Sequence, residues 1–94
     1  MGIKTERILG KKIICEIDST TLRKAEYDTS SRKLLVTFKG DIQYEYEDVP
    51  HSVFTKFRMA ESQGSFFNKE VARKFTYNKK TTDYIIHLFL FFYR

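Results

Sequence analysis

Residues 34–47 alternate along two short runs that meet at a glycine. Leu34, Val36 and Phe38 interleave with Leu35, Thr37 and Lys39; Ile42, Tyr44 and Tyr46 interleave with Gln43, Glu45 and Glu47. A period of two in runs rich in β-branched and aromatic residues is the signature of half-buried strands. Gly40-Asp41 stands between the runs. Glycine takes positive φ without a Cβ clash, so the pair reads as a tight turn and the stretch as a β-hairpin. Side chains two apart in a strand share a face, which puts Tyr44 and Tyr46 together. The other face, Gln43, Glu45 and Glu47, is polar and belongs to solvent.

Pro50 ends the hairpin and suits the first turn of a helix, where a missing N–H costs nothing. From there the apolar spacing becomes helical, with Val53, Phe57 and Ala60 on one face and Phe54 beside them. Gly64 reads as a break, and a second helix is expected from about Phe66, carrying Phe67, Val71 and Phe75. Upstream, residues 12–17 (KIICEI) read as a strand with Ile13, Cys15 and Ile17 on one face. A polar break at Asp18, Ser19, Thr20 and Thr21 follows. Residues 22–27 form a second strand, bulged because Leu22, Ala25 and Tyr27 do not keep a strict period. Residues 1–12 read as a basic arm and residues 78–83 as an exposed loop.

The ordered set Tyr27-Asp28, Leu34-x-Val36-x-Phe38, Tyr44-x-Tyr46, Val49-Pro50, Val53-Phe54 and Ala60-x-Ser62-x-Gly64-x-Phe66-Phe67-Asn68 resembles the KTSC domain. That domain is found at the C-terminus of some lysyl-tRNA synthetases and as a stand-alone small protein. The resemblance covers residues 19–77. It implies a compact α+β module, for which RNA binding is the usual suggestion. The family tends to place the turn glycine one residue later, where this chain has Asp41 after Gly40.

Ninety-four residues make one domain with a small core. The expected division is a basic arm over 1–12, the KTSC-like core over 19–77, and an apolar extension over 84–94. Cys15 is the sole cysteine, so no intrachain disulfide forms, which fits a reducing compartment. The first residues lack an apolar segment of signal-peptide length, and a cytoplasmic location is expected. The net charge of +5 is uneven. Residues 1–50 hold nine bases and nine acids; residues 51–94 hold eight bases against three acids, so the whole excess lies in the second half. Such asymmetry points to phosphate-bearing partners.

Residues 84–93 read YIIHLFLFFY. Ten apolar residues are too few to span a bilayer, which needs about 20 in a helix. The run fits a strand buried on both faces, placed in the domain or across a homo-oligomer interface. Left exposed, it is an aggregation site.

Catalysis finds little support. A nucleophile needs a base and an orienting group nearby. Cys15, His51 and His87 are the only thiol and imidazoles, and none is spaced to serve another or to bind a metal. Cys15 alternates with isoleucines and reads as core. Glu45, Glu47 and Asp48 read as a solvated strand face. No cofactor is expected.

Binding fits better. Tyr44 and Tyr46 on one sheet face are placed to stack nucleobases; the plainer reading packs them as core beneath the helices. Ser62, Gln63, Gly64 and Ser65 lead into the second helix, whose N-terminus offers free N–H groups and a positive dipole end to a phosphate. Asn68, Lys69 and Arg73 follow, with Lys69 and Arg73 four apart on one helix face, and Lys56 adds charge from the preceding helix.

The expected fold is α+β: three or four antiparallel strands in a meander, two short helices and a C-terminal apolar strand. The expected function is a non-catalytic binding module for a nucleotide-type ligand, RNA or a small phosphorylated nucleotide. Its ligand residues are Tyr44, Tyr46, Lys56, Ser62, Gly64, Asn68, Lys69 and Arg73. The alternative is a homo-oligomeric accessory or inhibitor protein of viral style that sequesters a nucleotide signal or binds a partner protein.

Overall fold

The computed structural model describes residues 2–80. In chain order they form β1 (Gly2–Leu9), β2 (Lys12–Asp18), β3 (Leu22–Asp28), β4 (Leu34–Phe38), β5 (Gln43–Tyr46), α1 (His51–Met59), α2 (Gln63–Glu70) and β6 (Tyr77–Lys79). The six strands make one antiparallel sheet in the order β1-β2-β3-β4-β5-β6. The fold is α+β, with six strands in place of the three or four expected.

The two additional strands have separate causes. The expected arm is β1, folded back on β2 because Gly10 takes φ 60° at the turn. The expected loop after α2 contains β6, which pairs Tyr77 with Tyr46 and Lys79 with Tyr44. The predicted irregularity in β3 is present, as a register shift between Leu22 and Lys24 against β4. Gly40 (φ 90°) and Asp41 (φ 63°) both adopt left-handed backbone in the turn between β4 and β5. There Phe38 N–H donates to the Ile42 carbonyl at 2.8 Å, and Asp41 N–H to the Phe38 carbonyl at 3.1 Å.

Register sets the core. One cross-strand row runs Ile13, Tyr27, Leu34, Tyr46, Tyr77, and the next runs Glu6, Cys15, Ala25, Val36, Tyr44, Lys79. Phe54 and Phe57 of α1, Phe67 of α2 and Val71 pack on these rows. Each fully buried phenylalanine removes enough apolar surface to stabilise the fold by roughly 1.5–3 kcal/mol. Tyr27 stacks on Phe54 (4.5 Å between centroids, 14° between planes) and its hydroxyl donates to the Val49 carbonyl at 2.6 Å. The aromatic ring is thus buried with its polar end satisfied. Cys15 is fully buried among these side chains.

Helix α1 begins directly after Pro50, which is extended (φ −63°, ψ 150°). Helix α2 starts three residues earlier than expected. Ser62 caps it by accepting the Ser65 N–H at 3.3 Å, a standard role for serine at this position. Gly64 therefore lies inside the helix, and the break falls at Ala60, which is extended. The side chain of Gln63 holds the corner between the helices, its Nε2 donating to the Ala60 carbonyl at 2.9 Å and the Phe57 carbonyl at 3.3 Å.

Among the described residues no helix is long and apolar enough to cross a membrane. The apolar strand expected over 84–94, and the self-association expected through it, lie outside the described residues.

Candidate functional site

The side chains named from sequence fall into three groups. Tyr46 is core, not surface. It is 4% exposed, and its ring meets Phe67 edge-on at 5.3 Å and Tyr77 at 5.6 Å. Burial, helped by the neighbouring Tyr44 and Tyr77 hydroxyls, pushes its phenol up to about 12. No base reaches its face. Gly64 is also buried: a Cβ there would stand 3.0 Å from Thr21 Oγ1 and 3.3 Å from Ser19 Oγ. It lets α2 approach the loop between β2 and β3, and contributes no ligand atom of its own.

The second group surrounds the start of α2. Ser62 and Lys69 share a hollow of about 550 Å3 with Ala60, Glu61, Ser65, Phe66 and Glu70. Two carboxylates face one ammonium here, and Lys74 lies 3.0 Å from Glu70. The positive helix end is therefore offset by acids, and the Ser62 hydroxyl already serves a backbone N–H. Arg73 does not share a helix face with Lys69, because α2 ends at Glu70 and Val71 leaves helical backbone (φ −120°, ψ −53°). Lys56, Asn68 and Arg73 are exposed but line none of the hollows described here.

The third group is Tyr44 alone, and it has company that sequence reasoning missed. Tyr44 is half-buried, edge-on to Phe38 at 5.7 Å and to Tyr77 at 5.3 Å. With Phe38 and Ile42 it forms the apolar side of a hollow of about 390 Å3, completed by Thr20, Thr21 and Lys39. Ile42 is 39% exposed at its edge. Lys79 stands directly across from Tyr44 in the β5–β6 register and is exposed. Local bonds hold this loop. Ser19 Oγ accepts the Thr21 N–H at 3.2 Å, and Lys39 N–H donates to the Thr21 carbonyl at 2.9 Å. Phe67 of α2 packs on Phe38 at 5.4 Å, so the helix buttresses the hollow from behind. The sequence signal for Lys39 and Ile42 was their place beside the hairpin turn. Lys79 had none, because it lay in a segment read as a loop.

The remaining chemistry candidates lie elsewhere. Burial first, and the Glu6 carboxylate next, push the Cys15 thiol up to about 11. Its Sγ is 3.8 Å from Glu6 Oε1, and Glu6 is bridged to Arg58 at 2.6 Å. Such a thiol is the reverse of an activated nucleophile. His51 donates from Nε2 to the Thr29 carbonyl at 2.9 Å and sits edge-on to Tyr27. His87 lies outside the described residues. Among the described residues no group of three His, Cys, Asp or Glu side chains is placed to hold a metal.

The family model of the KTSC domain matches residues 18–75. The chain belongs to the KTSC domain family. A protein of Tsukamurella paurometabola is 36% identical over 59 residues, 63% of this chain and 88% of that one. The crystal structure of a KTSC domain protein from Yersinia pestis superposes with a TM-score of 0.68 at 28% identity, covering 72% of this chain and 96% of that one. Thr20, Thr21, Phe38, Lys39, Ile42 and Tyr44 all lie inside the KTSC match, whereas β1, nearly all of β2, and β6 with Lys79 lie outside it.

Proposed function

We propose that this KTSC domain is a non-catalytic binding module for a nucleotide-type ligand, seated in the hollow beside Tyr44. The make-up of that hollow carries the reading. Phe38, Ile42 and Tyr44 offer apolar and aromatic surface, Thr20 and Thr21 offer hydroxyls, and Lys39 is the one charged residue of the lining. A ligand with a flat base and a phosphate uses all three. The base lies against the open part of the Tyr44 ring, a contact worth roughly 1–3 kcal/mol. The phosphate meets Lys39, in the lining, and Lys79, the register partner of Tyr44 on β6. Small-ligand sites are mostly apolar with a few placed polar groups, and this lining has that balance. The non-catalytic part of the reading is supported by the sealed thiol of Cys15 and the bonded ring of His51, neither of which lines the hollow.

Calorimetric titration with AMP, GMP, CMP and UMP tests the reading. At least one nucleotide is expected to bind, with affinity lost in Tyr44→Ala and reduced in Lys39→Ala while circular dichroism stays unchanged. No binding by any of the four, or wild-type affinity in Tyr44→Ala, overturns it.

A further inference from the structure

We infer that the Tyr44 hollow takes a single nucleotide unit, a mononucleotide or a free chain end, and not an internal run of single-stranded RNA. This rests on the nucleotide reading above and narrows its ligand.

The aromatic geometry is the first ground. Runs of bases bind single-strand proteins by stacking on successive aromatic faces. Among the described residues two tyrosines are open at this end of the sheet, Tyr44 and Tyr77, the latter 53% exposed. Their rings are 5.3 Å apart but perpendicular, at 89°. Two bases stacked on them lie at right angles, which a continuous stack of neighbouring nucleotides does not adopt. Tyr46, which extends the tyrosine series on the same face, is buried. Among the described residues, this end of the sheet offers one base platform.

Charge is the second ground. Polymer binding needs a track of cations that meets successive phosphates and releases their counterions. Among the described residues that line or adjoin the hollow, the cations in reach of a phosphate are Lys39 and Lys79. Arg23, close by, is ion-paired with Asp41. Lys80 lies 3.4 Å from Glu45 on the opposite face of the sheet, where Lys24 is likewise held by Glu26 at 3.1 Å. Towards α2 the next hollow presents Glu61 and Glu70. A strand that left the Tyr44 hollow in that direction would lay its phosphates against carboxylates. The hollow's volume, about 390 Å3, is that of a small-molecule pocket.

The test compares each mononucleotide with the homopolymer tetramer of the same base, by calorimetry at low and moderate KCl. If one unit makes the site, the best tetramer binds within about tenfold of its mononucleotide, the allowance covering the several positions it offers. The slope of log affinity against log salt is then about −0.7, one phosphate contacted. Lys39→Ala and Lys79→Ala each make that slope shallower. A tetramer that binds beyond tenfold tighter, with a slope of about −1.4 or steeper (two or more phosphates contacted), overturns the single-unit inference and leaves the nucleotide reading standing. Absence of binding by both ligand forms overturns the two together.

Discussion

The hollow at the start of α2 and the hollow beside Tyr44 lie near one another in the fold and differ in the sign of their surroundings. The first has the features a motif reading favours: a serine cap, a glycine, a helix N-terminus and a following lysine. It also has Glu61 and Glu70. The second has no motif, only side chains drawn from the β2–β3 loop and the β4–β5 turn, yet its one charged lining residue is a lysine and its walls are aromatic. Helix-end geometry gives a site its shape, but the charges that flank it decide whether an anion stays.

The change expected to be largest removes the support common to both. Phe67→Ala deletes the ring that packs on Phe38 and Tyr46, at a cost of roughly 3–5 kcal/mol in denaturant unfolding. If the loss is under about 1 kcal/mol, α2 does not brace the sheet as described. Next comes the separation of the two hollows. Tyr44→Ala is expected to weaken nucleotide binding by roughly 1–3 kcal/mol, whereas Lys69→Ala changes it less than about twofold. The reverse ranking would move the site to α2. Ser62→Ala is expected to lower stability by about 1 kcal/mol through loss of the cap, with nucleotide affinity unchanged in the same preparation.

The smallest effect is alkaline. Tyr46 is neutral in the fold and its ionisation is delayed from 10 to about 12, chiefly by burial. Its contribution is therefore complete below pH 10 and falls as pH rises from 10 towards 12, because the unfolded chain ionises first. Cys15, raised from 9.0 to about 11, adds to the same decline at its lower end. Tyr46→Phe is expected to flatten the loss of stability above pH 10 without abolishing it, as read from midpoints at several pH values. An unchanged profile would place Tyr46 in contact with water.

Much of this architecture was legible in the chain. The alternation over residues 34–47, the irregular strand at Leu22, the buried Cys15 and the shared face of Tyr44 and Tyr46 all follow from side-chain period. What escaped had physical reasons. Strand β1 is an edge strand, and its Thr5, Glu6 and Arg7 are exposed, so no alternation marks it. Strand β6 is three residues long and is recruited by pairing with β5, not by its own composition. The start of α2 was displaced because Gly64 was weighed as a breaker, when its lack of a side chain serves the close approach to Thr21. At the candidate site only Tyr44 was visible beforehand. Lys79 reaches it through the β5–β6 pairing, and Thr20 and Thr21 through the fold of the sheet.

The strand order repeats the chain order, β1 through β6. Four of the five pairings therefore close over a short turn, and such local contacts carry little loop-closure entropy. Only β6 returns from a distance, after both helices, to lie beside β5. Folding can thus zip from hairpin to hairpin, and the last seam to form is the one that carries Lys79 to Tyr44. The hollow's own lining, drawn from the β2–β3 loop and the β4–β5 hairpin, would then be assembled before Lys79 arrives beside it.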